Sequence, residues 1–143
     1  MLCIFSAYGK TLVGLADGAI RELDLATYLD GTTQIRRVIV SYPAYPDGKR
    51  AILRGVELEG ELGVGLNTGQ GSDPQAMLRF SRDGGMTYGN EKWTSLGPVG
   101  ARRVRANWHN LGMFRNGAVE ISIADPVKVV VYGGNYEVEG MRE

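Results

Sequence analysis

Ser81-Arg82-Asp83-Gly84-Gly85-Met86-Thr87-Tyr88 is the stretch that decides how this chain is read. An Asp followed by Gly-Gly supplies the positive-φ positions of a tight β-turn, and its carboxylate is placed to accept backbone N–H bonds across that turn. The hydroxyls of Ser81 and Thr87 can tie the two arms together, and Tyr88 can lay its ring against the neighbouring strand. Ser81, Asp83, Gly85, Thr87 and Tyr88 therefore build a corner of a β fold. Such a corner performs no chemistry by itself.

Working outward, Ala76 to Ser81 is the incoming arm and Asn90 to Leu96 the outgoing one. Upstream, Ala51 to Gly65 alternates: Val56, Leu58, Gly60, Leu62 and Val64 share one face, with Glu57, Glu59 and Glu61 on the other. Downstream of Gly97-Pro98-Val99-Gly100, Val104, Ala106 and Trp108 alternate with Arg103, Arg105, Asn107 and His109. Leu111-Gly112-Met113 and Asn116-Gly117 read as turns. Val119, Ile121 and Ile123 form another strand, Asp125-Pro126 breaks it, and Val127 to Tyr132 closes the sheet.

Nearer the N-terminus, residues 2–7, 11–16 and 19–24 read as short strands, and 25–33 as a loop with room for one helical turn. Gln34 to Tyr42 is apolar on both parities and is expected to be covered on both sides. Pro43 to Lys49 reads as an exposed connection. The 21 glycines spread among β-branched runs punctuate many short strands, and no long helical periodicity competes with them. The expectation is an all-β, antiparallel single domain over 1–143. It has hairpins in 1–33, the main sheet region in 34–134 and a loose polar tail in 135–143.

Lys plus Arg and Asp plus Glu are 16 each, so no net charge pulls the chain toward nucleic acid or membrane. Cys3 is the only cysteine and His109 the only histidine. An internal disulfide and a metal site built from several cysteines or histidines are thereby excluded, and His109 has no nucleophile or orienting carboxylate at recognisable spacing. The apolar opening Met1–Ala7 is too short for a signal peptide or a membrane span, so a soluble, cytoplasmically made chain is expected. Asn67 to Pro74 is Gly-rich but lacks the Lys-Ser/Thr pair and following helix of a phosphate loop. Glu22, Asp24 and Asp30 do not have the spacing of a calcium loop.

Two surfaces remain. Arg102-Arg103-Val104-Arg105 with Trp108 has the composition of a nucleic-acid track, but Trp108 shares its parity with Val104 and Ala106 and so reads as core. The balanced reading pairs Arg103 and Arg105 with the acidic row Glu57, Glu59 and Glu61. Tyr42, Tyr45, Tyr88 and Trp93 are the aromatics of an alternative function, a carbohydrate-binding β module in host recognition.

The Ser81–Tyr88 pattern resembles an Asp-box, the hairpin repeated in sialidase-type β-propellers, with Tyr88 where tryptophan is usual. A longer ordered set surrounds it. This set comprises Asp17–Asp24, Gly71–Ser81, Asp83-Gly84-Gly85, Gly97–Gly100, Trp108–Gly112 and Ser122–Val127. In this order it resembles the C-terminal region of tailed-phage packaged-DNA stabilisation proteins, the tail accessory or hub proteins of P22-like podoviruses. The resemblance runs from about Asp17 to Tyr132, and those proteins are several times longer.

What the resemblance implies is a non-enzymatic virion protein, either an antiparallel β-sandwich or a partial β-propeller-like domain. Such a protein would sit in the tail after assembly in the host cytoplasm. It would form a ring, a hexamer or similar, that closes the DNA channel, meets the portal and other tail proteins, and contacts packaged DNA. It would need no cofactor or metal and would have no membrane partner. The expected interface is Glu57, Glu59, Glu61, Arg103 and Arg105, with the loops at 67–74 and 110–117.

Overall fold

The computed structural model describes residues 3–42 and 49–141; the connection at Pro43–Gly48 and Tyr45 lie outside the described residues. The Asp-Gly-Gly hairpin is seated in a four-stranded antiparallel sheet. Its strands, in sequence order, are β6 (Arg37–Ser41), β8 (Gln75–Ser81), β9 (Lys92–Ser95) and β11 (Ala118–Ile123), arranged β6-β11-β8-β9. A three-stranded sheet of β7 (Ala51–Gly60), β10 (Ala106–Phe114) and β12 (Val131–Gly140) has the order β10-β7-β12. All strand pairings among the described residues are antiparallel, and the isolated bridge between Asp83 and Asn116 is parallel.

The core lies between these two sheets. Leu53, Val56, Leu58, Ala106, Trp108, Leu111 and Phe114 from one meet Ala76, Leu78, Phe80, Val119, Ile121 and Ile123 from the other. Phe80 and Phe114 meet edge to face, with centroids 5.8 Å apart and planes at 87°. Of the two architectures allowed by the sequence, the chain has the sandwich: its buried residues fill one layer between two sheets.

The alternation of β7 carries the core as read, with one change of phase. Val56 and Leu58 are buried, and so are Ala51 and Leu53 at the opposite parity. The pairing of β7 with both neighbours skips Arg54, which is an unpaired bulge residue that resets the pleat. On the β10 side Asn110 and Leu111 face that bulge, and Asn110 takes φ 56°. The Leu111-Gly112-Met113 turn expected from the sequence is thus an irregularity inside β10, because the strand continues to Phe114.

Four further expectations are corrected. Residues 135–143 do not form a loose tail over their described part: Asn135 to Gly140 pair with β7, and Tyr136 and Val138 pack on the core. β6 is an edge strand, so Val38, Ile39 and Val40 are 47%, 42% and 45% exposed rather than covered on both sides. The strand expected from Arg103 onward starts at Ala106, because Arg102 and Arg103 form a turn. Residues 25–33 hold no helical turn. Asp24 accepts from the Ala26 N–H and the Thr27 hydroxyl to make a turn, followed by a small hairpin of β4 (Leu29–Asp30) and β5 (Thr33–Gln34).

The first strands, β1 (Cys3–Ala7), β2 (Lys10–Gly14) and β3 (Ile20–Glu22), form their own antiparallel sheet. No sandwich strand packs against it, and none of its residues is buried. Cys3, Phe5 and Leu12 line one face, and Ile4 and Val13 the other.

Candidate functional site

β8 delivers the chain into the hairpin with Ser81 buried at its end. The Ser81 hydroxyl donates to Asp83 Oδ1 at 2.6 Å and accepts from the Gly85 N–H at 2.8 Å. The Thr87 N–H donates to both Asp83 oxygens at 2.9 and 3.1 Å, and the Thr87 hydroxyl donates to Oδ2 at 2.6 Å. Gly84 and Gly85 take φ 77° and 95°, where a side chain is disfavoured. The Gly84 N–H donates to Asn116 O at 2.7 Å, fixing the hairpin to the turn between β10 and β11. The bonds from the Ser81 hydroxyl, then from Thr87, hold the Asp83 carboxyl well below the usual carboxylate range. The Tyr88 ring lies beneath the Arg79 guanidinium, 5.1 Å from its centroid. Asp83 is committed to the turn, and the arrangement is that of a structural corner.

The acidic row is only partly matched by the arginines. Arg105 Nη1 lies 3.5 Å from Glu57 Oε1, and with the Arg105 side chain 75% exposed the pair contributes little stability. Glu61 instead pairs with Lys128 at 2.7 Å, and Glu59 accepts from the Asn135 amide at 2.6 Å. The reason is topological. β7 is the central strand, so partners for its outer face come from β12 as well as β10. Arg103, in the turn before β10, is exposed and meets no carboxylate among the described residues. Of the loops named with this surface, 67–74 is a turn-rich loop, whereas 110–114 belongs to β10.

Beside this row is a groove of about 280 Å³ lined by Glu57, Asn107, His109, Asn135 and Glu137. Gly55 leaves it open: a Cβ there would sit 3.4 Å from Glu137 Oε2 and 3.5 Å from His109 Nδ1. Asn107 Oδ1 is buried without a hydrogen-bond partner among the described residues. Among the described residues no group of three His, Cys, Asp or Glu converges as a metal set.

Trp108 is 3% exposed and donates its indole N–H to Lys92 O at 2.9 Å, so it does not offer a stacking platform. The aromatics of the carbohydrate reading are distributed differently. Tyr42 and Trp93 are exposed, and Trp93 stands opposite Met77 in the four-stranded sheet. A Cβ on Gly85 would lie 3.4 Å from the Tyr88 hydroxyl and 3.7 Å from that of Tyr42, so these two converge over the hairpin.

Three features were not read from the sequence. Glu120, only 12% exposed, receives Arg79 at 2.6 Å and Arg36 at 3.2 Å on the same oxygen. Arg37 donates to Asp125 O at 2.6 Å and Val127 O at 2.7 Å, tying the edge strand to the loop after β11. The third is a cavity of about 390 Å³ where β8, the hairpin, β9 and the β10 bulge meet. It is lined by Leu78, Phe80 and Leu111 together with Arg82, Tyr88 and Lys92. Each depends on the register between strands, which the alternation of one strand does not encode.

Residues 34–139 match the protein-family model described as Bacteriophage P22 Gp10, beta-sandwich, and the chain belongs to this family. That matched span contains the hairpin and both sandwich sheets but for the last residue of β12; Asp17–Asp24, the first part of the sequence resemblance, lies before it. The family is one of phage structural domains and is not a known enzyme family. A search of curated proteins finds no match to the chain.

Proposed function

We propose that this phage structural, virion-associated protein works in the tail as a ring-forming hub or head-to-tail connector. In this reading it closes the DNA channel and anchors other tail proteins, after assembly in the host cytoplasm. The observation that carries the proposal is the match of residues 34–139 to the P22 Gp10 sandwich family. The mechanism is geometric: copies associate head to tail through unlike surfaces, closing into a ring of six or a similar number, and repetition multiplies weak contacts.

Several surfaces suit such contacts. Glu57, Glu59 and Glu61 face outward beside a groove, while Arg103 is an exposed cation that meets no carboxylate among the described residues. The β1–β3 sheet and edge strand β6 present apolar side chains that the other described residues leave uncovered. Portal and neighbouring tail proteins, and the packaged DNA, are the partners this role requires. The ion pairing seen here leaves the arginine turn free for either a protein or a phosphate neighbour.

Native mass measurement of the parent and of the Arg103→Glu/Arg105→Glu variant tests the interface. The parent is expected as a closed oligomer and the variant as folded monomers. An oligomer of unchanged order in the double variant would overturn the assignment of these residues to the contact.

A further inference from the structure

The cavity beside the hairpin is built more like a ligand site than a packing defect. At about 390 Å³ it falls within the size range of small-molecule pockets, roughly 300–1,000 Å³. Its floor is apolar, formed by Leu78, Phe80 and Leu111. Two cations line it, Arg82 and Lys92, and no carboxylate does.

The two cations are held by different means. The Lys92 ammonium donates to His109 O at 3.2 Å and Asn110 O at 3.0 Å, the carbonyls that the β10 bulge turns toward it. An ammonium has three N–H donors, so one remains for an occupant. Arg82 lies over Gly112, where φ is 102° and a Cβ would come within 2.8 Å of Arg82 Nη2. The missing side chain at that position makes the room its guanidinium uses. Asp83, the nearest carboxylate in sequence, is occupied by Ser81 and Thr87 inside the hairpin and does not neutralise Arg82. Tyr88 supplies an aromatic wall, and Asn90 an amide that both donates and accepts.

We propose that this cavity binds an anionic sugar, a hydroxylated ring bearing one acidic group, with Arg82 and Lys92 on the anion. Tyr88 and the apolar floor take the ring face, and Asn90 reads the hydroxyls. The inference stands apart from the tail-hub reading, because the residues that take the ligand, Arg82, Lys92, Tyr88 and Asn90, are not among those assigned to the ring contact.

The probes are glucuronate, glucose 6-phosphate, glucose, acetate, inorganic phosphate and a short acidic peptide. Each is titrated into the full chain while the amide resonances of Gly89, Asn90 and Gly112 are followed. Saturable shifts are expected with glucuronate or glucose 6-phosphate, and the stronger of the two identifies the anion as carboxylate or phosphate. Glucose and the simple anions should bind at least about tenfold more weakly, and Arg82→Gln should weaken the sugar acid by a similar factor, about one charge-assisted hydrogen bond. The Arg82→Gln spectrum away from the cavity should match the parent, showing that the fold persists. No saturation by either sugar acid would overturn the proposal. So would equal response to glucose or to the simple anions, tighter binding of the acidic peptide, or an Arg82→Gln variant with unchanged affinity.

Discussion

Replacing Ser81 with alanine probes the corner on which the four-stranded sheet turns. The Ser81 side chain is 1% exposed, and its hydroxyl both donates to Asp83 Oδ1 and accepts from the Gly85 N–H. A hydrogen bond to a charged acceptor contributes about 1.5–3 kcal/mol, and a donor left without its acceptor adds a desolvation cost. The methyl of alanine fits the space, so no cavity term of consequence arises, and the expected loss is about 2 kcal/mol.

Urea unfolding followed by tryptophan fluorescence suits the measurement, since Trp93 and Trp108 both belong to the sandwich. With a slope of about 2 kcal/mol per molar urea, the midpoint should fall by about 1 M while the slope stays constant. Ser6→Ala, on the exposed first strand, serves as the control and should stay within about 0.5 kcal/mol of the parent. A Ser81→Ala midpoint within about 0.25 M of the parent, at unchanged slope, would refute the reasoning. It would mean that Gly84 and Gly85 alone hold the hairpin and that water replaces the hydroxyl without loss.

Other perturbations separate further parts of the account. Leu78→Ala removes a fully buried side chain between the sheets and should cost about 3–5 kcal/mol by the same urea assay. Asp83 has a folded pKa below its unfolded one, so its contribution is complete above the ordinary carboxylate pKa of about 3.9 and is lost only as pH falls well below it. The melting-temperature gap between parent and Asp83→Asn should therefore be constant near neutrality and narrow in acid; a gap that widens on acidification would contradict the assignment. Deleting residues 135–143 should remove most of β12, uncover the β7 edge and abolish cooperative unfolding, as read by thermal melting. A truncated chain that melts like the parent would show that these residues carry no structure.

Alternation within single strands made much of this fold legible. Val56 and Leu58 against Glu57 and Glu59, and Val119, Ile121 and Ile123 along β11, announced which faces meet in the core. The Asp-Gly-Gly spacing pointed to positive φ at Gly84 and Gly85, which take 77° and 95°. What escaped was set between strands. The Arg54 bulge changes the phase of β7, so Ala51 and Leu53 entered the core unannounced. Asn135 to Glu139 is polar enough to pass for a tail, yet Tyr136 and Val138 alternate into the core once β7 offers an edge. The apolar pattern of β6 is that of a covered strand, but its place at the sheet edge leaves it half exposed.

For the candidate surfaces the same limit holds. The sequence identified Glu57, Glu59, Glu61, Arg103 and Arg105 as chemically complementary. Only the fold reveals that β12 supplies Asn135 to Glu59 and that Lys128 takes Glu61, which leaves Arg103 without a carboxylate partner among the described residues. The cavity between Arg82 and Lys92 brings together residues from the hairpin and β9, with its floor completed by β10. No local spacing signals it, since the Lys92 contact arises from a bulge in another strand.

The central claim is that this sandwich is a ring-forming structural part of a phage tail. Imaging of purified virions carrying a tagged copy of the chain tests it most directly. The account predicts label at the tail, in a closed ring of identical sandwich-sized densities around the DNA channel. Particles that are complete and infectious without the chain, or label confined to unassembled material, would contradict it.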